Sequence, residues 1–210
     1  MKLNGIKLRV RKTDIDNNSI AYCIMKRSFD IIISVVALCL FCIPILILSL
    51  IVKLTSDGPV FYWSDRIGKN NEIFIMPKFR SMRIGTPALA THLLTDADQY
   101  LTSVGKCLRK SSLDELPQIY SIIKGDMSLV GPRPALYNQD DLSKLRTAKG
   151  IHKLLPGVTG WAQINGRDEL PIPVKVNFDE YYLKNRSFFF DIKIILLTLL
   201  KVIKREGVSH

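Results

Sequence analysis

Histidine is scarce in this chain, three in 210 residues, and cysteine numbers only four. No histidine or cysteine pair stands at zinc-type spacing, so a nitrogen–sulfur metal centre is excluded as the organising feature. Cys39 and Cys42 lie inside an apolar run, while Cys23 and Cys107 stand alone. That pattern is no disulfide framework and fits a reduced, cytoplasmic setting. A phosphate-cradling P-loop and a dinucleotide fingerprint are both missing, as are repeats and low-complexity tracts. Acidic residues are outnumbered, 19 to 30 basic ones, giving a net charge of +11. An anionic partner follows: nucleic acid, phosphorylated metabolite or acidic lipid. Basic segments interleaved with aromatics, as nucleic-acid readers use, are absent, which argues against the first of these.

What the chain does have is a long apolar run. "IIISVVALCLFCIPILILSLIV", Ile31 to Val52, carries no charge over 22 residues. At helical rise that spans roughly 33 Å, about the thickness of a hydrocarbon core. Some thirty residues precede it and no small-residue cleavage site closes it, unlike a signal peptide. Pro44 sits within the run and removes the rung to the carbonyl of Leu40, favouring a kink or break. Lys2, Lys7, Arg9, Arg11, Lys12, Lys26 and Arg27 precede the run and a basic domain follows. Both flanks therefore prefer the cytoplasmic side. A re-entrant, proline-broken helix is the expectation; a simple spanning helix is the alternative. Near the C-terminus, Asp191, Thr198, Lys201 and Arg205 fall on one helical stripe among Phe, Ile and Leu. That segment reads as an amphipathic interfacial helix or as a core helix with one wet edge.

Four regions result: a basic lead over 1–25, a membrane helix-break-helix over 26–56, a catalytic domain over 57–186, and a C-terminal amphipathic helix over 187–210. The fold class expected is an α-rich mixed α/β cytoplasmic domain carrying that membrane element. "PVFYW" (59–63) and "EIFIM" (72–76) predict short strands around the "RIGKNN" turn. Residues 113–123 and the polar 138–149 predict helices, "MSLVGPRP" (127–134) extended chain, and 155–166 a glycine-rich loop.

Several residues could carry chemistry. In "RKSSLDELPQ", Ser112 and Glu115 form the pattern of a capping box, and acids suit a helix's first turn. The adjacent carboxylates Asp114 and Glu115 also suit a nucleophile or metal ligand, kept ionised by the helix end and by Arg109 and Lys110. Lys78, Arg80 and Arg83 cluster in "KFRSMR", and Arg133 lies between prolines on stiff backbone. Arginines held so suit bidentate phosphate recognition, although each alone also suits a solvated face. Together with the carboxylates they point to phosphoryl chemistry. "PGVTGWAQINGRDE" offers Trp161, Gln163, Asn165 and Arg167 for stacking on and hydrogen bonding to a base or sugar. Trp161 suits a core position equally, and His152 is a weak general base without a visible partner.

Read in order, "KRSFD" before the proline-broken run, "DGPVFYWSDRIG", "KFRSM", "LRKSSLDELPQ", "KGDMSLVGPRP" and "PGVTGWAQINGR" closely resemble the bacterial sugar transferases, the monotopic phosphoglycosyl transferases. The resemblance runs from about Lys26 to the C-terminus and matches the minimal catalytic form. It implies transfer of a sugar-1-phosphate from a UDP-sugar to undecaprenyl phosphate, with release of UMP, to start a capsule, O-antigen or glycoprotein glycan. It implies catalysis on the cytoplasmic face of the bacterial inner membrane, among its lipids, and leaves a homodimer open. By the match Asp114 is the nucleophile, Asp114 and Glu115 hold Mg2+, and Arg109 and Arg133 contact phosphate. The family pattern has Gln at Ser64, Arg at Tyr100, and basic residues at Ile151 and Leu155. These departures leave the roles of His152 and Lys153 open. "RIGTPALATHLL" and the stretch from "GPRPALYNQDD" to "LLPG" resemble a subgroup of which some members use UDP-N-acetylated 6-deoxyhexoses. A conventional glycosyltransferase that releases UDP, and a non-catalytic basic membrane adaptor, are the rival readings.

Overall fold

The computed structural model describes residues 12–87, 97–166 and 170–204. Its first element is a 44-residue helix, α1 (Lys12–Thr55). Most apolar side chains on it are uncovered: Leu40 is 71% and Ile43 69% exposed. Among the described residues it alone, over Ile20–Thr55, is long and apolar enough to cross a membrane. Pro44 lies inside α1 and the helix runs through it without the expected break. A proline cancels one rung of the ladder only, so the turns on either side keep their helical dihedrals.

Both ends of α1 grip the following domain. At the N-terminal half, Arg27 donates from Nη1 to the carbonyl of Ile122 (2.6 Å) and from Nη2 to that of Ile123 (2.9 Å). Asp30, 2% exposed, accepts from Ser128 Oγ (2.7 Å) and from the backbone N–H of Leu129 (3.2 Å). Lys26 donates to the Val130 carbonyl (3.0 Å) and to Asp191 (2.9 Å). At the other end Val52 is fully buried in a cluster with Phe79 and Leu108.

The domain opens with a hairpin, β1 (Phe61–Ile67) and β2 (Ile73–Phe79), in antiparallel register from Phe61↔Phe79 to Ile67↔Ile73. Both strands run further than the apolar runs predict, because the turn is tight. Gly68 N–H bonds to the Glu72 carbonyl (2.8 Å), and Asn70 and Asn71 take φ of 56° and 63°. Asparagine tolerates that left-handed region better than most residues. Helix α2 (Gly105–Lys110), a 3-10 turn (Leu113–Gln118) and α3 (Ile119–Lys124) follow. Then β3 (Ser128–Val130) leads through Gly-Pro-Arg-Pro to β4 (Ala135–Leu136). Strand β4 pairs with β1 to give the order β2-β1-β4. After α4 (Asp140–Ala148), β5 (Gly157–Thr159) lies parallel to β3. The chain closes with α5 (Trp161–Ile164), α6 (Ile172–Asn185) and α7 (Phe188–Lys204). The architecture is the α-rich mixed α/β domain expected, with an N-terminal apolar helix.

Helix α7 buries Ile194 in the core and turns polar residues inward beside it. Its polar stripe faces inward: Asp191 accepts from Tyr22, Lys26 and Tyr182, Thr198 pairs with Thr159, and Lys201 donates to the Ile164 carbonyl. Phe189, Leu196, Leu199, Leu200 and Val202 point out and are exposed. Arg205, the fourth residue of the predicted stripe, lies outside the described residues.

Candidate active site

The dyad sits where one helix stops and the next begins. Ser112 has φ 56° and ψ 18°, and its N–H bonds to the Arg109 carbonyl (3.0 Å) as α2 ends. Because Ser112 is committed to that left-handed stop, its side chain makes no cap and the predicted capping box does not form. Its carbonyl instead takes the Glu115 N–H (3.2 Å), starting the 3-10 turn that holds Asp114 and Glu115.

Three chain-distant elements converge there. Lys78 from β2 donates to Glu115 Oε1 at 2.7 Å, and Arg133 Nη2 donates to the same oxygen at 2.8 Å. Arg109 lies alongside, with Nη1 3.3 Å from Met82 Sδ. Asp114 is 7% exposed, and its carboxylate accepts no side-chain hydrogen bond among the described residues.

The two carboxyls are driven apart in acidity. Burial pushes Asp114 above the ordinary carboxylate range, and the negative Glu115 adds to it; Lys78, Arg109 and Arg133 oppose the shift without cancelling it. This corrects the expectation that the helix end and Arg109 keep Asp114 low: removal from water outweighs them. Glu115 goes the other way. Burial opposes its charge too, but Arg133 and Lys78 together hold it well below its usual value.

Other predicted residues fall elsewhere. Arg80 is 5% exposed and turned to the end of α1, where Nη2 meets the Ser56 carbonyl and hydroxyl. Trp161 stacks on Tyr181 with ring centroids 5.7 Å apart and tilts on Phe190 at 5.0 Å, with Lys193 above its ring. Beside it lies a recess of about 390 Å³ lined by Trp161, Val174, Asn177, Phe178 and Tyr181. Asn165 Nδ2 donates to the Trp161 carbonyl (2.7 Å) and so finishes its own helix. Gln163 is 8% exposed, and neither of its amide atoms has a partner among the described residues. Arg167 lies outside the described residues. Sequence reasoning missed Arg146 and Asp179. Arg146 donates from Nε (2.9 Å) and Nη2 (2.7 Å) to Asp179 Oδ2, and from Nη1 to the Arg133 carbonyl (2.8 Å). Nothing in a polar helix marks an arginine as buried; only the apolar neighbours Leu142 and Val176 hint at an inward face.

For a metal, the dyad offers two hard oxygen donors, and no cluster of three or more His, Cys, Asp or Glu occurs among the described residues. Such a pair fits Mg2+, which binds through one or two carboxylates and completes its shell with water and substrate phosphate.

An α/β domain with a long apolar N-terminal helix and a carboxylate dyad under three cations has the form suited to phosphate chemistry. The bacterial sugar transferase pattern matches residues 21–205, and the chain belongs to that family. Among its relatives is an uncharacterised sugar transferase, EpsL, of Bacillus subtilis, 41% identical over 187 residues, 89% of this chain and 91% of that one. The exopolysaccharide production protein ExoY of Rhizobium meliloti is 38% identical over 198 residues, 87% of both chains. The UDP-N-acetylgalactosamine-undecaprenyl-phosphate N-acetylgalactosaminephosphotransferase of Aeromonas hydrophila is 37% identical over 192 residues. This chain covers 45% of that longer protein, and 89% of this chain is matched. The chain is thus an enzyme, a sugar transferase, as its ordered motifs led one to expect.

Proposed function

We propose that this enzyme transfers a sugar-1-phosphate from a UDP-sugar to undecaprenyl phosphate, in two steps through Asp114. The observation that carries the reading is the split dyad: Asp114 buried and free to attack, Glu115 pinned between Lys78 and Arg133. In the first step an Asp114 carboxylate oxygen attacks the β-phosphorus. The bond from that phosphorus to the bridging oxygen breaks, and UMP leaves with the oxygen. In the second step an oxygen of undecaprenyl phosphate attacks the aspartyl phosphosugar, restoring Asp114 and forming the lipid-linked diphosphosugar. Lys78, Arg109 and Arg133 supply fixed positive charge against the diphosphate, which is where most of the barrier is lowered in phosphoryl transfer. Asp114 and Glu115 would hold Mg2+, which neutralises diphosphate charge when bound.

The membrane reading is re-entry from the cytoplasmic face of the inner membrane, with α1 bent at Pro44. A straight helix would put Arg27 and Val52 about 38 Å apart. Yet Arg27 bonds to Ile122 and Ile123, while Val52 shares its cluster with Leu113 and Leu116, from the one segment Leu113–Lys124. The outward apolar face of α7 fits a helix lying in the same interface. A polyprenyl phosphate embedded there presents its headgroup at the level of the dyad. The donor sugar is tested directly: purified enzyme, undecaprenyl phosphate and a panel of UDP-sugars, N-acetylated 6-deoxyhexoses included, with UMP and lipid product read together. Release of UDP in place of UMP refutes the route through Asp114.

A further inference from the structure

The segment Val130–Pro134 carries Arg133 to the dyad, and its two prolines leave it short of N–H groups for a strand ladder. Beyond the Gly131 N–H, which donates to the Thr159 carbonyl (2.9 Å), it is held by its carbonyls. Lys26 donates to Val130 (3.0 Å), the Gly157 N–H to Pro132 (2.9 Å), Arg146 to Arg133 (2.8 Å) and Arg66 to Pro134 (3.3 Å). Of these, the grip on Arg133 itself comes from a buried ion pair. Arg146 is 8% and Asp179 2% exposed, and Asp179 Oδ2 takes two of the Arg146 donors. That leaves Nη1 aimed at the Arg133 carbonyl.

Burying two charges in this way is poor value for stability alone, since well-packed apolar side chains serve as well. The geometry gives the pair another use. Asp179 on α6 fixes the Arg146 fork, Arg146 on α4 fixes the Arg133 backbone, and the Arg133 side chain then spans to Glu115 Oε1 at 2.8 Å. Lys78 reaches the same oxygen from β2. A small shift of the Arg133 backbone would let Glu115 fall to Lys78 alone and turn the guanidinium away from an incoming diphosphate.

We propose that Asp179 and Arg146 are positioning residues that set Arg133 over the dyad, so that two helices remote in sequence govern how tightly the nucleoside diphosphate of the donor is held. The proposal rests on the reading of Arg133 as a phosphate ligand.

The test uses full-length enzyme and two readouts: calorimetric affinity for UDP, and UMP release from the donor. Replacing the pair by apolar residues, R146M/D179L, keeps the volume and leaves no orphan charge. Its melting temperature is expected to stay near wild type, while UDP binding weakens by about tenfold or more, the loss usual when a supporting partner is removed. R133A weakens UDP binding too, and adding R146M/D179L to R133A is expected to cost nothing further, because both act through one contact. A purely structural pair would instead give losses that multiply. R146Q/D179N guards against a misfolded double variant: a glutamine amide nitrogen stands where Arg146 Nε meets Asp179, so the neutral pair stays hydrogen-bonded, while nothing replaces the Nη1 that reaches the Arg133 carbonyl, and UDP affinity falls with the fold intact. Wild-type UDP affinity in R146Q/D179N or in R146M/D179L overturns the proposal, as do multiplying losses or a wild-type enzyme that does not bind UDP. Normal UDP binding without UMP release from any donor sinks the proposed reaction and leaves the positioning role standing.

Discussion

Arg80 donates from one nitrogen, Nη2, to both the carbonyl and the hydroxyl of Ser56, at 2.7 and 2.8 Å. The last turn of α1 is thereby tied to the end of the strand that carries Lys78. A cation at a helix C-terminus is also favoured by the helix dipole. The long apolar helix and the strand that brings Lys78 to Glu115 thus share one buried side chain.

Replacing Arg80 by leucine should therefore cost both stability and rate. It strands the half-buried Ser56 carbonyl, a loss of about 1 kcal/mol once its charged donor is gone. Thermal unfolding in detergent reads the first effect and UMP release the second. An Arg80→Leu enzyme with wild-type stability and turnover would show that the Ser56 contact holds nothing in place.

With no Mg2+ bound, Asp114 should titrate above the range of an ordinary carboxylate, because burial raises its pKa. Lys78 is the strongest force opposing that rise, so Lys78→Met should move the titration to still higher pH as well as slow the reaction. Infrared titration of the carboxyl in the two metal-free proteins decides; a titration that moves to lower pH in Lys78→Met contradicts the prediction.

Asp114→Asn should abolish turnover, by at least about 10³-fold for loss of a covalent nucleophile. The same change should leave the melting temperature unchanged or raise it, because a neutral amide escapes the desolvation cost that the buried carboxylate carries. Intact-mass analysis of enzyme quenched with donor should find the phosphosugar adduct on wild type and none on Asp114→Asn. Chelating Mg2+ should stop adduct formation in wild type.

Much of this was legible in the chain. The dyad, Lys78 and Arg133 were named from their motifs because stiff or charged neighbours mark them locally. The hairpin was named too, though its turn proved tighter than "RIGKNN" indicates. What stayed hidden depends on contacts across the chain. Ser112 reads as a cap until one sees that α2 ends on it. Arg80 reads as one of a cluster of cations, and its bonds to Ser56 show only once α1 is placed beside it. Arg146 and Asp179 stand 33 residues apart on helices whose other charges are solvated, and no spacing rule connects them. The stripe on α7 was found, but its direction was not, since periodicity gives a face and never says which way it points.

The four cysteines make the topology measurable without adding probes. Cys23 precedes the apolar run, Cys107 follows it, and both are exposed. With Cys39 and Cys42 replaced by serine, a membrane-impermeant maleimide should label neither remaining thiol in intact spheroplasts and both after permeabilisation. Labelling of Cys23 alone in intact cells would mean a spanning helix. Pro44→Leu should not by itself convert one topology into the other. Removing the proline favours a straight helix by about 3 kcal/mol. Straightening would sacrifice the six hydrogen bonds made by Lys26, Arg27 and Asp30. At about 1 kcal/mol each those outweigh the gain. Combining Pro44→Leu with Arg27→Ala and Asp30→Ala removes four of the six and brings the two totals close. Only then should Cys23 begin to be labelled from outside, and UMP release should fall in step with it.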